Sequence, residues 1–69
     1  MNITSPMVGR LISIDVKVGD KIKENDAVAT IEAMKMQVKV FAPADGEVVS
    51  VISTIDTVVN PDTVIAVLK

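Results

Sequence analysis

The second half of this 69-residue chain repeats the residue pattern of the first half at an offset of 37 positions, without a gap. Most apolar positions coincide, with a notable loss at Val16, which falls on Ser53. A valine-rich chain gives some of that by chance, so coincident proline and glycine weigh more. The identical pairs are Pro6 over Pro43, Gly9 over Gly46, Ser13 over Ser50 and Ala29 over Ala66. The pattern predicts one domain over residues 1–69, with an internal repeat of roughly 3–32 and 40–69.

Each half has the alternation of apolar and polar residues that is typical of half-buried strands. Ile12, Ile14, Val16 and Val18 alternate with Ser13, Asp15 and Lys17, and Val38 and Val40 alternate with Gln37 and Lys39. Turn-forming pairs such as Gly19-Asp20 and Asp45-Gly46 separate the apolar runs. Short strands with regular turns favour an all-β sandwich or barrel, and the repeat favours two quasi-twofold-related halves that each supply strands to both sheets.

The segment between the halves is ambiguous by propensity. Residues 29–37 contain Ala, Glu, Met, Lys and Gln, which are all good helix formers. The window is too short to be stable as a helix unaided, and no clear N-cap precedes it. We therefore predict a hairpin with Met34-Lys35 at its tip, where a non-glycine residue adopts a positive φ.

Composition excludes several classes of function. Cysteine and histidine are absent, so the chain has no disulfide, no Cys/His zinc site and no histidine proton shuttle. A net charge of −2 and a single aromatic residue argue against nucleic-acid binding. The acidic residues are scattered without the spacing of a metal-binding loop, so we expect no metal site. No catalytic triad or phosphate-binding loop can be assembled, so no catalytic residue is predicted.

No apolar run approaches the roughly 18 residues that a membrane-spanning helix needs. No charged start followed by an apolar stretch and a cleavage site is typical of a signal peptide. We therefore expect no direct membrane insertion and a cytoplasmic location.

The sequence resembles the biotinyl (biotin carboxyl carrier) domains of the biotin/lipoyl attachment superfamily, from Ile3 to Leu68. The resemblance is carried by a lysine between two methionines at the junction of a duplicated β chain. The matching segments are Ala33-Met34-Lys35-Met36, Ser5-Pro6-Met7-Val8-Gly9, Val18-Gly19-Asp20 and Ala42-Pro43-Ala44-Asp45-Gly46. It implies a flattened β-barrel, or barrel-sandwich hybrid, with the modified lysine at the tip of a hairpin.

The resemblance implies that Lys35 carries biotin through an amide bond, which a biotin protein ligase forms with the help of ATP. It further implies that Met34 and Met36 contribute to recognition by the ligase, so at least one of them should be exposed. Ala33 keeps the tip slim, and Glu32 is either a solvated strand residue or a partner contact.

The implied role is to shuttle a carboxyl group between the active sites of partner subunits and not to catalyse its transfer. Those partners would be a biotin carboxylase, a carboxyltransferase or a decarboxylase. No extra segment of the kind called a thumb lies between the early strands, which favours the thumbless carriers of decarboxylases, transcarboxylases and acyl-CoA or pyruvate carboxylases. Asn25, Ile55-Asp56 and Asn60-Pro61 depart from the glycine-containing turns of the family, at positions away from the lysine.

Two alternatives remain open. Lipoyl domains share the implied fold and the lysine hairpin, although their lysine typically follows Asp and precedes Ala. An unmodified barrel-sandwich module could also serve as an adaptor or scaffold. Replacement of Lys35 distinguishes a carrier from a scaffold, since it would abolish the function of a carrier and leave that of a scaffold intact.

Overall fold

Eight short strands and no helix make up the structure, a computed structural model that describes residues 1–69. The all-β fold expected from the sequence is confirmed. The strands are β1 (Asn2–Thr4), β2 (Gly9–Ile14), β3 (Lys21–Ile22), β4 (Ala27–Ala33), β5 (Met36–Phe41), β6 (Gly46–Val51), β7 (Val58–Val59) and β8 (Val64–Leu68).

The strands form two four-stranded antiparallel sheets, in the orders β1-β8-β6-β3 and β5-β4-β2-β7. Strand β3 of the first half pairs with β6 of the second, and β7 of the second half pairs with β2 of the first. Each half therefore supplies strands to both sheets, as the repeat predicts, and the two halves are interlocked along the chain.

The quasi-twofold relation is visible in strand bounds and in single hydrogen bonds. Strands β6 and β7 begin and end 37 residues after β2 and β3. The Leu11 amide donates to the Thr57 carbonyl at 2.9 Å. The equivalent bond runs from the Val48 amide, 37 residues after Leu11, to the Asp20 carbonyl, 37 residues before Thr57, at 2.8 Å. Low sequence identity between the halves is thus compatible with the same backbone pairing.

The core between the sheets contains thirteen buried apolar side chains, and none is aromatic. Leu11 and Ile31 are fully buried, as are their counterparts Val48 and Leu68. Phe41, the only aromatic residue, is exposed. Full burial of one large aliphatic side chain contributes about 1.5–3 kcal/mol, so these branched residues are the main stabilising force in a chain without cysteine.

The alternation predicted from Ile12 to Val18 is wrong in its second part. Strand β2 ends at Ile14, and the Asp20 amide closes a turn on the Lys17 carbonyl at 3.0 Å, which leaves Val18 exposed. A bulge between Leu11 and Ser13 also shifts the register, so that Leu11 and not Ile12 is the fully buried residue. A bulge adds one residue to a strand and so breaks a strict period of two.

Two of the turns that lack the family glycine keep a left-handed residue. Asn25 has φ 70° and Asp56 has φ 71°. Asp56 occupies the place of Gly19, which has φ 96° in the first half. Asparagine and aspartate tolerate this region better than other side chains do, because the short polar group can bond to the nearby backbone. The departures from the family pattern therefore preserve the turn conformation at these two positions.

Candidate functional site

Strands β4 and β5 form a hairpin whose turn consists of Met34 and Lys35 alone. Ala33 pairs with Met36 across the turn. Both turn residues lie in the left-handed region, with φ 53° at Met34 and φ 65° at Lys35. Positive φ at both central residues is the signature of a type I′ turn, whose twist matches that of the flanking strands. The predicted hairpin is confirmed, and the helix that propensity would allow is absent.

The sheet holds this turn in a conformation that its own residues disfavour. A residue with a Cβ in the left-handed region costs about 1–2 kcal/mol. Strand β4 offsets the cost because it pairs with β5 on one side and with β2 on the other. Within that ladder Ile31 and Val40 are buried and anchor the two arms of the hairpin to the core. Local strain of this kind concentrates at functional sites.

Lys35 differs from the other lysines in position and not in exposure. Lysine occurs at six positions, 17, 21, 23, 35, 39 and 69, and all six are exposed. Only Lys35 lies in the two-residue turn of a hairpin. No ion pair or side-chain hydrogen bond involves its amine, whereas Lys39 on the same hairpin donates to the Thr30 hydroxyl at 3.2 Å. The Lys35 amine is therefore free to react with a group that another protein presents.

The residues around Lys35 divide into exposed and buried ones. Met34 is 91% exposed, and Met36 is also exposed, as expected for neighbours of a projecting lysine. Glu32 is exposed, and its carboxylate lies 3.5 Å from Arg10. Ala33 is only 7% exposed, so the surface around Lys35 is formed by the two methionines and Glu32, with little of this alanine.

Gly9 permits β2 to lie directly against the base of the hairpin. A Cβ at Gly9 would lie 2.8 Å from the Glu32 carbonyl oxygen and 3.3 Å from the Ala33 Cβ. Contacts this short require a shift of the backbone. The structural reason for a glycine here is the close approach of two strands and not a left-handed turn.

Arg10 is a neighbour of the site that the sequence analysis missed. It lies 3.5 Å from Glu32 and 4.0 Å from Asp56, and so links β4 to the turn before β7. All three side chains are largely exposed, and such ion pairs contribute at most about 1 kcal/mol. No sequence pattern could have found this group, because the contact depends on strand register.

Other surfaces offer less chemistry. No three Asp or Glu side chains come together where they could hold a metal ion. One shallow cavity is found, away from the hairpin, and it is lined by Lys21, Ile22, Lys23, Asp45, Gly46 and Glu47. The structure has no helix of sufficient length and hydropathy to cross a bilayer.

A family model described as "Biotin-requiring enzyme", the biotin/lipoyl family, matches residues 1–68. This chain belongs to that family. It is a biotin carboxyl carrier domain, with the barrel-sandwich fold of its structural neighbours.

Three similar proteins illustrate the relationship. The biotin carboxyl carrier protein of acetyl-CoA carboxylase from Solanum lycopersicum is 46% identical over 67% of this chain, which spans 66% of that protein. The glutaconyl-CoA decarboxylase subunit gamma of Acidaminococcus fermentans is 43% identical over 54% of this chain, and the match spans 26% of that protein. The crystal structure of Kluyveromyces lactis urea carboxylase superposes on the whole chain with a TM-score of 0.90 and 29% identity, although this chain spans 6% of it.

The carrier domain fits a cofactor that is held by a covalent bond. The one cavity found lies away from the hairpin. A projecting primary amine at a hairpin tip can instead form an amide with a carboxylic acid such as biotin.

Proposed function

We propose that Lys35 is the residue that carries biotin, and that the domain presents this group to partner active sites which load and unload a carboxyl group. The observation that supports this most is the position of Lys35. It is the one lysine of six in the strained two-residue turn, flanked by exposed methionines.

Formation of the amide requires the neutral form of the Lys35 amine. The nitrogen attacks the activated carboxyl group of biotin, loses a proton and forms the N–C bond as the activating group leaves. This chain has no histidine to take up that proton. The ligase therefore has to supply the base, and we propose that the domain has no catalytic residue of its own.

When bound, biotin supplies a ureido nitrogen that accepts and releases a carboxyl group. Lys35 contributes the flexible four-carbon stem of the arm, and the left-handed turn fixes the direction in which that stem leaves the sheet. A tethered group visits two sites at a high effective concentration without separate diffusion. The rigid sheets therefore confine motion to the arm and to any linker.

We propose that the partners are a biotin protein ligase and the subunits of a biotin-dependent carboxylase, decarboxylase or transcarboxylase. The relatives named above include both carboxylases and a decarboxylase, so they support the class of complex and not one acceptor. Residues 1–69 would act as one attachment domain in the cytoplasm, without binding nucleic acid.

The test is modification in the presence of biotin, ATP and a biotin protein ligase, followed by a streptavidin gel shift. We expect the wild-type chain to shift and Lys35→Arg to remain unshifted. Lys39→Arg is the matched control, because Lys39 lies on the same hairpin and is also exposed. A shift of the Lys35→Arg variant would contradict the assignment. A wild-type chain that accepts lipoate from a lipoyl ligase, but not biotin, would favour the lipoyl alternative.

A further inference from the structure

The quasi-twofold relation identifies a surface where the two halves differ sharply. Val8 and Val58 are 63% and 72% exposed. Their counterparts 37 residues away are Asp45 and Lys21, which line the same shallow cavity. The fold therefore accommodates charged side chains at both of these equivalent positions. Core packing does not explain why Val8 and Val58 are apolar.

Strand register places both valines beside the lysine hairpin. Arg10 pairs with Glu32 on β4 and with Val58 on β7. Val8 immediately precedes β2 and Met34 immediately follows β4, so in this antiparallel pair both residues lie at the end next to the turn. We call Val8, Met34 and Val58 the apolar tip surface.

The surroundings of this surface have the character of a protein interface. Exposed apolar side chains that lie together, with polar groups around them, mark sites of contact with other proteins. Arg10, which forms the ion pairs with Glu32 and Asp56, is the strand partner of Val58. Apolar contacts together with arginine are enriched in the centre of interfaces.

We propose that the apolar tip surface docks the enzyme that acylates Lys35, and that Val8 and Val58 determine the affinity of this encounter. The inference rests on the proposed function of Lys35. It adds a surface on β7 and on the segment before β2 to the hairpin residues.

The reach of the unmodified side chain favours the acylating enzyme over other partners. A lysine amine lies only about 6 Å from its own Cα, so an active site that encloses it has to come against the hairpin. Adjacent strands are about 4.8 Å apart, so β2 and β7 lie about 5 and 10 Å from β4, within the footprint of such an enzyme. An enzyme that meets the longer modified arm can stay further from the sheet.

The test uses substitutions that the chain itself contains at the equivalent positions. The double variant Val8→Asp/Val58→Lys copies the residues of the other half and leaves the net charge unchanged. The control Lys21→Val/Asp45→Asn changes the equivalent surface, also without a change of net charge. Asparagine is chosen at Asp45 because an amide oxygen can still accept the hydrogen bond from the Glu24 amide, which measures 2.8 Å.

The initial rate of biotin transfer by a biotin protein ligase is measured against concentration of the intact 69-residue chain. We expect the apolar-surface variant to lose about tenfold or more in kcat/KM, mainly through KM, since loss of central interface residues weakens binding. The control should stay within about twofold, and thermal unfolding should be the same for all three proteins because the substituted side chains are largely exposed.

Equal rates for both variants and the wild-type chain would overturn the docking surface, as would an equal loss in the control. If the Val8→Asp/Val58→Lys variant is less stable than the wild-type chain, Val58→Thr provides a second test, because it keeps the shape of the side chain and adds only a hydroxyl. A rate equal to that of the wild-type chain for Val58→Thr would then overturn the role of Val58. A wild-type chain that is not modified at Lys35 would instead contradict the function on which the inference rests.

Discussion

The β4–β5 hairpin and the β8–β1 pair occupy equivalent places in the two sheets, yet their connections differ. In the hairpin the chain passes through two left-handed residues, Met34 and Lys35. In the β8–β1 pair the first and last strands lie side by side, and the Met1 amine donates to the Leu68 carbonyl at 2.7 Å. Strand pairing at this place therefore does not need a strained turn. The only two consecutive left-handed residues of the chain lie at the candidate lysine.

The same comparison shows what the two halves share. The Cβ that Gly9 lacks would lie 2.8 Å from the Glu32 carbonyl oxygen, and the one that Gly46 lacks would lie 2.8 Å from the Lys69 carbonyl oxygen. The equivalent residues Ile31 and Leu68 are both buried. Packing and close approach are thus symmetric, whereas the tip and its charged neighbours are not.

The largest expected effect concerns the symmetric core. We expect Ile31→Ala and Leu68→Ala each to lower the free energy of unfolding by about 2–5 kcal/mol, because each leaves a cavity between the sheets. Urea unfolding followed by circular dichroism measures both. If the cost in one half were negligible, the two halves would not share one core.

A smaller effect concerns the two close approaches. We expect Gly9→Ala to cost about 1–3 kcal/mol, since the Glu32 carbonyl is fixed within the hairpin and has to shift. Gly46→Ala should cost a similar amount, because the Lys69 carbonyl oxygen lies at the same 2.8 Å and accepts a hydrogen bond from the Glu47 amide at 3.2 Å. The same urea measurement compares the two variants. A negligible cost at either glycine would mean that the neighbouring backbone can shift to admit a Cβ.

These elements also show how far a sequence can predict such a molecule. The repeat and the period-two patterns predict the all-β fold and its quasi-twofold halves, because apolar spacing sets which face of a strand is buried. The hairpin at Lys35 is predicted against the propensity of its residues, because the neighbouring apolar runs are strands. The local structure of this segment thus follows from the apolar pattern of the flanking strands and not from the helix propensity of its own residues.

Other features could not be predicted, for identifiable reasons. The bulge after Leu11 depends on a match between two strands that neither strand encodes alone. The contacts of Arg10 with Glu32 and Asp56 join residues that are far apart in sequence, so they appear only once the register is known. The apolar tip surface is recognisable only by comparison of exposure at equivalent positions.

Relief of backbone strain at the hairpin tip should raise the free energy of unfolding, whereas the core and glycine substitutions lower it. We expect Met34→Asn to raise the free energy of unfolding by about 0.5–1 kcal/mol, because asparagine tolerates the left-handed region better. Met36→Asn is the control, since Met36 is in strand β5, where asparagine is disfavoured. Thermal unfolding compares the two. A loss of stability in Met34→Asn would show that the turn is not strained at this residue.

The smallest effect concerns the ion pairs beside the tip. We expect Arg10→Gln to cost at most about 0.5 kcal/mol at low salt, because the pairs with Glu32 and Asp56 are exposed. The difference should vanish near 1 M salt, where the screening length falls to about 3 Å. Glu47→Gln changes the equivalent position of the other half and serves as the control. A cost that persists at high salt would point to packing by the arginine stem.

The central claim is that one lysine of six carries the cofactor, and peptide-level mass spectrometry tests it most directly. The intact chain is incubated with biotin, ATP and a biotin protein ligase, then digested and mapped. We predict a single biotin increment on the peptide that contains Lys35 and none on lysines 17, 21, 23, 39 or 69. Biotin on another lysine while Lys35 stays free, or no biotin on any of the six, would contradict the account.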